Sequence, residues 1–157
     1  MTTIAANLEC MAADTRVTED GGAPYPATKI FRVGESLFGT AGHGDMCLVM
    51  IEWLKTNRNR SVLYKLWGDY ERDEIALLEL NPRGLFRWTG WGVAEKVLAK
   101  HHAIGSGQQA ALKGMALGES PEDAVKGAVD YDIYTGCPIQ VEYLLPPELK
   151  TRRKRKR

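Results

Sequence analysis

The sequence predicts a layered α+β protein whose strands and helices are segregated along the chain. Three observations carry that reading. Short runs of small and β-branched residues fill the first forty-odd positions in pairs. Helical spacing is confined to a few blocks, at 45–55 and again after residue 106. The resulting order is four strands, a helix, further strands, two helices and a closing strand. That order does not alternate strand with helix as a doubly wound sheet would.

"TTIAANLE" and "CMAADTRVTE" read as the two strands of a hairpin. "DGGAPYP" is a loop, because two glycines and two prolines interrupt regular backbone. "TKIFRVG" and "SLFGTAG" are two more strands around a turn at Gly34. In "DMCLVMIEWLK" the apolar residues at 46, 49, 50, 53 and 54 share one helical face, with Asp45 as N-cap. No element is assigned to "NRNRSVLYKLWGDYERD". "EIALLELN" and "GLFRWTGWG" form a meander through the "NPRG" turn, and "AEKVLAKHHAIGSG" leads onward. "GSGQQAALKGMALG" is a helix with an alanine-rich face suited to close packing. "SPEDAVKGAVDYD" is a second, started by Ser120 as N-cap, Pro121 at the first position and Asp123 in the first turn. "PIQVEYLL" closes the fold as a strand. One domain over 2–145 is expected, followed by a basic, disordered tail over 146–157.

A chain of 157 residues suits a single domain with a core of its own. Its longest apolar run, "MCLVMI", is far too short to span a membrane. Asn7 and Glu9 interrupt the first apolar residues, unlike a secretory signal. Cys10, Cys47 and Cys137 are scattered and odd in number, which fits a reducing cytoplasm and neither a disulfide frame nor a metal site. The net charge of +1 conceals an asymmetry: "KTRRKRKR" holds seven of the 21 basic residues, leaving 14 against 20 acids, or −6, before it.

The chemistry begins at "MTTIAA". A small second residue favours removal of Met1, which would leave Thr2 with a hydroxyl and a free α-amine together. The hydroxyl is a weak nucleophile, but the amine, of reference pKa about 8, can serve as its base if a neighbouring cation depresses it. Such a residue needs a positive charge, an acid to hold that charge, and donors for an oxyanion. "AADTR" offers Asp14, "ATKI" offers Lys29 and "GTAGHG" offers the Gly42 N–H. "AIGSG" adds Ser106, and "DYDIYTG" adds Asp132 and Thr135.

With those residues in order, the sequence resembles the proteasome β-subunit family of N-terminal-nucleophile hydrolases, and within it the bacterial HslV peptidases. "TTIAA", "ADTR", "KI", "AGHG", "AIGSGQQAALKGMALG" and "DIYTG" are collinear with the family signatures over roughly 2–56 and 74–145. The resemblance implies a four-layer αββα sandwich. It implies Thr2 as nucleophile, Lys29 as the cation and Asp14 as its partner. The Gly42 N–H would form the oxyanion hole, with Ser106 and Asp132 around the Thr2 amine and the attacking water. Thr18 would pair with an extended substrate, and Val17, Ala27, Thr40 and Gly44 would line the first specificity pocket. Thr135 and Gly136 match a segment where some members hold a cation. A polypeptide substrate, a homo-oligomeric ring or stacked rings, and an ATP-dependent unfoldase are implied as partners, with no cofactor. The chain departs from the pattern in a short first hairpin, in His43 where a small residue is common, and between Lys55 and Asp73, where an outer helix is reduced or lost.

Other readings stay open at this level. Lys29 and Asp14 could be an ordinary ion pair, Ser106 a helix N-cap, and Asp132 a solvated helix-end acid with Asp130 competing for its role. His101, His102 and Cys47 have no metal-ligand spacing. "WTGWG" is read as packing rather than base stacking. The same fold could serve a small-amide hydrolase or an inactive structural ring. The basic tail, read as a solvated extension, could instead contact nucleic acid, as in a nucleic-acid-associated binding protein, or dock on an acidic partner surface.

Overall fold

The computed structural model describes residues 2–18, 22–56, 58–68 and 74–145. The chain opens with a hairpin, β1 (Thr3–Asn7) and β2 (Cys10–Asp14), paired Ile4 to Ala13 and Ala6 to Met11. Two-residue strands β3 (Arg16–Val17) and β4 (Tyr25–Pro26) pair with each other: β3 is in the run read as the second strand, interrupted at Thr15, and β4 is in the segment read as a loop. Pro26 is tolerated because such a short ribbon asks for few backbone donors.

A five-stranded antiparallel sheet follows in meander order: β5 (Ile30–Val33), β6 (Ser36–Gly42), β7 (Ile75–Asn81), β8 (Gly84–Thr89) and β9 (Ala94–Val97). Helices α1 (Gly44–Leu54) and α2 (Arg60–Trp67) are inserted between β6 and β7. The segment "AEKVLAKHHAIG" divides between two sheets. β9 ends the meander, and β10 (His101–Gly105) crosses back to pair with β1. After α3 (Gln108–Ala116) and α4 (Pro121–Ala128), β11 (Ile139–Tyr143) pairs with β2, giving a second sheet of order β10-β1-β2-β11.

Alternation along the strands explains the layers. Ile4, Ala6, Met11 and Ala13 face Ile30, Leu37, Leu78, Leu80 and Leu85 between the two sheets. Ala5, Ala12 and Ala103 point the other way, and their small size lets α3 and α4 pack down through Ala111, Ala124 and Val125. On the opposite side, Met50, Ile51, Trp53, Leu63 and Trp67 of α1 and α2 cover Phe38, Leu77 and Trp88 of the five-stranded sheet. Three cores separate four layers, helix–sheet–sheet–helix. The predicted αββα sandwich is the observed one, and its outer helix α2 is only eight residues long.

Two caps differ in outcome. Ser120 accepts from the Asp123 N–H at 3.1 Å, with Pro121 next in line, as its sequence predicts. Asp45 is not the N-cap of α1: that position is His43, and Asp45 falls in the first turn, where its charge suits the helix dipole. The tail over 146–157 and the Met1 position lie outside the described residues.

Candidate active site

Thr2 immediately precedes β1 and is buried. Its carbonyl accepts from the Ser106 N–H at 2.8 Å, which fastens the start of the chain to the β10–α3 turn. Gly105 in that turn has φ +95°, and a Cβ there would strike the Thr2 carbonyl.

Asp14, the last residue of β2, is completely buried. Its Oδ1 accepts from the Thr3 N–H at 2.8 Å, and its Oδ2 accepts from the N–H groups of Arg16 at 3.1 Å and Gly136 at 3.3 Å. The Lys29 ammonium donates to Oδ1 at 3.0 Å, to Oδ2 at 3.1 Å and to the Arg16 carbonyl at 2.6 Å. Lys29 itself is positioned from β11, where Gln140 accepts from the N–H groups of Lys29 and Ile30 and donates to the Ile30 carbonyl. Burial pulls the Lys29 pKa below the ordinary ammonium value, and Asp14 opposes that shift. An exposed ion pair contributes little, but this one is 7% and 0% exposed and is fully hydrogen-bonded.

A second cluster forms where α3 begins and α4 ends. Ser106 donates to Asp132 Oδ2 at 2.6 Å, and Thr135 donates to the same oxygen at 2.6 Å. The N-cap of α3 is Gly107, so Ser106 is not the cap, and Asp132 rather than Asp130 meets it. Burial raises the Asp132 carboxyl, while donors on Ser106, Thr135 and the Tyr134 backbone outweigh it and hold it below the usual carboxylate range.

Gly42 ends β6 at φ +123°, and a Cβ there would collide with the Glu74 carbonyl. It borders two cavities that meet at Thr2. The larger, about 620 Å³, is lined by Thr2 and Lys29 and by every residue expected to bind substrate: Val17, Thr18, Ala27, Thr40 and Gly44. Its walls also include Phe31, His43, Cys47 and Leu48, which sequence reasoning did not assign. The signal was available: Gly44, Cys47 and Leu48 share one face of α1, and Ala27, Lys29 and Phe31 alternate along one extended segment. Burial pushes the Cys47 thiol up to about 11, which keeps it a neutral wall rather than a thiolate. The smaller cavity, about 260 Å³, is lined by Thr2, Gly42, Glu74, Gly105 and Ser106. No group of residues arranged to hold a metal ion occurs among the described residues.

The four-layer helix–sheet–sheet–helix sandwich is the proteasome-like fold. Among solved structures the chain is similar to Thiobacillus denitrificans BPH, with 23% identity and a TM-score of 0.67, covering 92% of this chain and 98% of that one. The same protein in complex with epoxomicin gives 23% identity and a TM-score of 0.66 over 92% and 99% of the two chains. Eukaryotic HslV from Trypanosoma brucei gives 21% identity and a TM-score of 0.66 over 90% and 98%. No protein-family model and no curated protein matches the sequence.

Proposed function

We propose that this protein is an N-terminal threonine peptidase of the proteasome and HslV type. The observation that carries the reading is the buried Thr2 at the junction of two cavities, with Lys29 lining the larger and Ser106 the smaller. After Met1 is removed, the Thr2 hydroxyl attacks the scissile carbonyl while the Thr2 amine takes its proton. The Lys29 charge lowers the pKa of that amine, and Asp14 holds the lysine in place. The Gly42 N–H donates to the oxyanion. Collapse releases the amine product and leaves an acyl ester on Thr2, which a water activated by the same amine then hydrolyses. The residue before the cut enters the cleft walled by Val17, Ala27, Thr40 and Gly44, and Thr18 pairs with the extended substrate.

Polypeptides are the proposed substrates, and an ATP-dependent unfoldase is the proposed partner for folded ones. A closed homo-oligomer shields the site. No helix among the described residues is long and apolar enough to cross a membrane. The scattered cysteines support a cytoplasmic setting.

Intact mass, peptide turnover and reaction with an electrophilic peptide test the reading together. The mature mass lacks methionine, Thr2→Ala abolishes turnover without loss of fold, and the adduct forms on Thr2. Epoxomicin, the ligand of the Thiobacillus denitrificans complex, is the first binding probe. A homogeneous mass that retains Met1, or normal turnover in Thr2→Ala, overturns it.

A further inference from the structure

Thr3 carries no role in the proposed reaction, yet its side chain is completely buried between the two halves of the site. Its backbone N–H belongs to the Asp14–Lys29 cluster, at 2.8 Å from Asp14 Oδ1. Its hydroxyl belongs to the other cluster: Oγ1 lies 2.6 Å from Thr135 Oγ1 and accepts from the Gly107 N–H at 3.1 Å.

The directions of these hydrogen bonds follow from counting protons. A carboxylate only accepts and a hydroxyl has one proton to give. Thr135 gives its proton to Asp132 Oδ2 at 2.6 Å, so the proton between Thr135 and Thr3 comes from Thr3. The Thr3 oxygen then accepts from Gly107, whose missing side chain is required, since a Cβ there would overlap Thr3 Oγ1 and press on Thr135 and Asp132. Ser106 likewise gives its proton to Asp132 at 2.6 Å. Its oxygen also lies 3.4 Å from the Thr2 carbonyl, but the proton is already committed to the shorter contact. With its proton given to Asp132, the Ser106 oxygen has only lone pairs left to offer on its Thr2 side.

We propose that Thr3 is a positioning residue whose hydroxyl completes a one-way chain, Gly107 N–H to Thr3 to Thr135 to Asp132, which turns the Ser106 oxygen toward Thr2 as an acceptor. The inference rests on the threonine-peptidase reading, because an acceptor at that place takes an N–H of the Thr2 amine and sets the direction of its lone pair. Without the Thr3 hydroxyl, the Gly107 N–H next to Ser106 is left buried and unpaired, and Thr135 loses the donor that seats it against Asp132. The backbone that carries Ser106 and the carboxylate that takes its proton are then both less firmly held.

The test compares Thr3→Val, which keeps the shape and removes the hydroxyl, with Thr3→Ser, which restores it, in full-length protein. Thr3→Val lowers kcat about tenfold or more at little-changed KM, as expected for misorientation of a catalytic group. Thr3→Ser recovers most of that loss. Because Thr3 acts through Ser106, the Thr3→Val/Ser106→Ala double variant is no slower than Ser106→Ala alone. Should Thr3→Val fail to accumulate as folded protein, Thr3→Ala removes the same hydroxyl and carries the same expectation. Parent-like kcat in the variant lacking the hydroxyl, no recovery in Thr3→Ser, or simple additivity in the double variant overturns the proposal. Thr2→Ala separates the two levels. Inactive Thr2→Ala with parent-like Thr3→Val removes only the role of Thr3, whereas fully active Thr2→Ala removes the nucleophile and the positioning role with it.

Discussion

Lys29 and Asp14 meet at 3.0 Å across fourteen intervening residues, and the carboxylate between them has no spare oxygen. Oδ1 serves Thr3 and Lys29, and Oδ2 serves Arg16, Gly136 and Lys29. Asp14→Asn therefore does more than weaken an attraction, because its NH₂ must face donors whichever way the amide turns. Breaking a buried pair costs about 3–5 kcal/mol. Denaturant unfolding of Asp14→Asn and Lys29→Ala is expected to show losses of that order, and peptide turnover is expected to fall to background in both. Parent-like turnover in folded Lys29→Ala would assign the cation elsewhere.

Gly42→Ala tests the turn that presents the proposed oxyanion donor. The position is at φ +123°, and the added methyl meets the Glu74 backbone, which cannot swing aside as a side chain would. A loss of at least about 1–3 kcal/mol is expected from the forced backbone. Turnover falls further than stability does, since the N–H is displaced. Thermal melting and kcat measured on the same preparation check both parts.

His102 makes stability depend on pH. Burial lowers its pKa below the ordinary 6.5, and the charges of Arg87 and His101 lower it further. Between the folded and the ordinary value, the unfolded chain binds a proton that the folded chain refuses. Stability is therefore full above pH 6.5 and declines as pH falls through and below it. Melting from pH 7.5 down to 5.5 is expected to show that decline, and His102→Gln is expected to flatten it. An unchanged slope in the variant would rule His102 out as its source.

Assembly is the fourth expectation. Leu98, Leu117, Tyr131 and Ile133 are 92, 76, 83 and 78% exposed, and Val62 and Leu66 face outward from α2. These exposed apolar side chains are the groups a second copy would cover. Light scattering is expected to give a closed oligomer. Deleting 150–157 is expected to leave it intact, or to tighten it at low salt, because seven like charges per copy repel when gathered in a ring. A monomer in both forms would overturn this.

The local signals in the sequence were strong wherever physics is local. Runs of small and β-branched residues marked β1 and β2, the turn at Gly34 separated β5 from β6, helical spacing marked α1, and the Ser120–Pro121 pair marked the start of α4. The order of "TTIAA", "ADTR", "KI", "AGHG" and "DIYTG" singled out Thr2, Asp14, Lys29, Gly42 and Asp132 as candidates by resemblance alone. What the sequence did not determine is how distant segments share space. The division of "AEKVLAKHHAIG" between two sheets depends on pairing partners far along the chain, not on its own propensities. The choice of His43 over Asp45 as the cap of α1 depends on where β6 releases the chain. Ser106 as a partner of Asp132 rather than a helix cap, and Thr3 as the link between two clusters, are decided by contacts spanning 26 and 132 residues. A hydroxyl's single proton goes to whichever acceptor the fold brings within reach, and only the tertiary structure determines which acceptor that is.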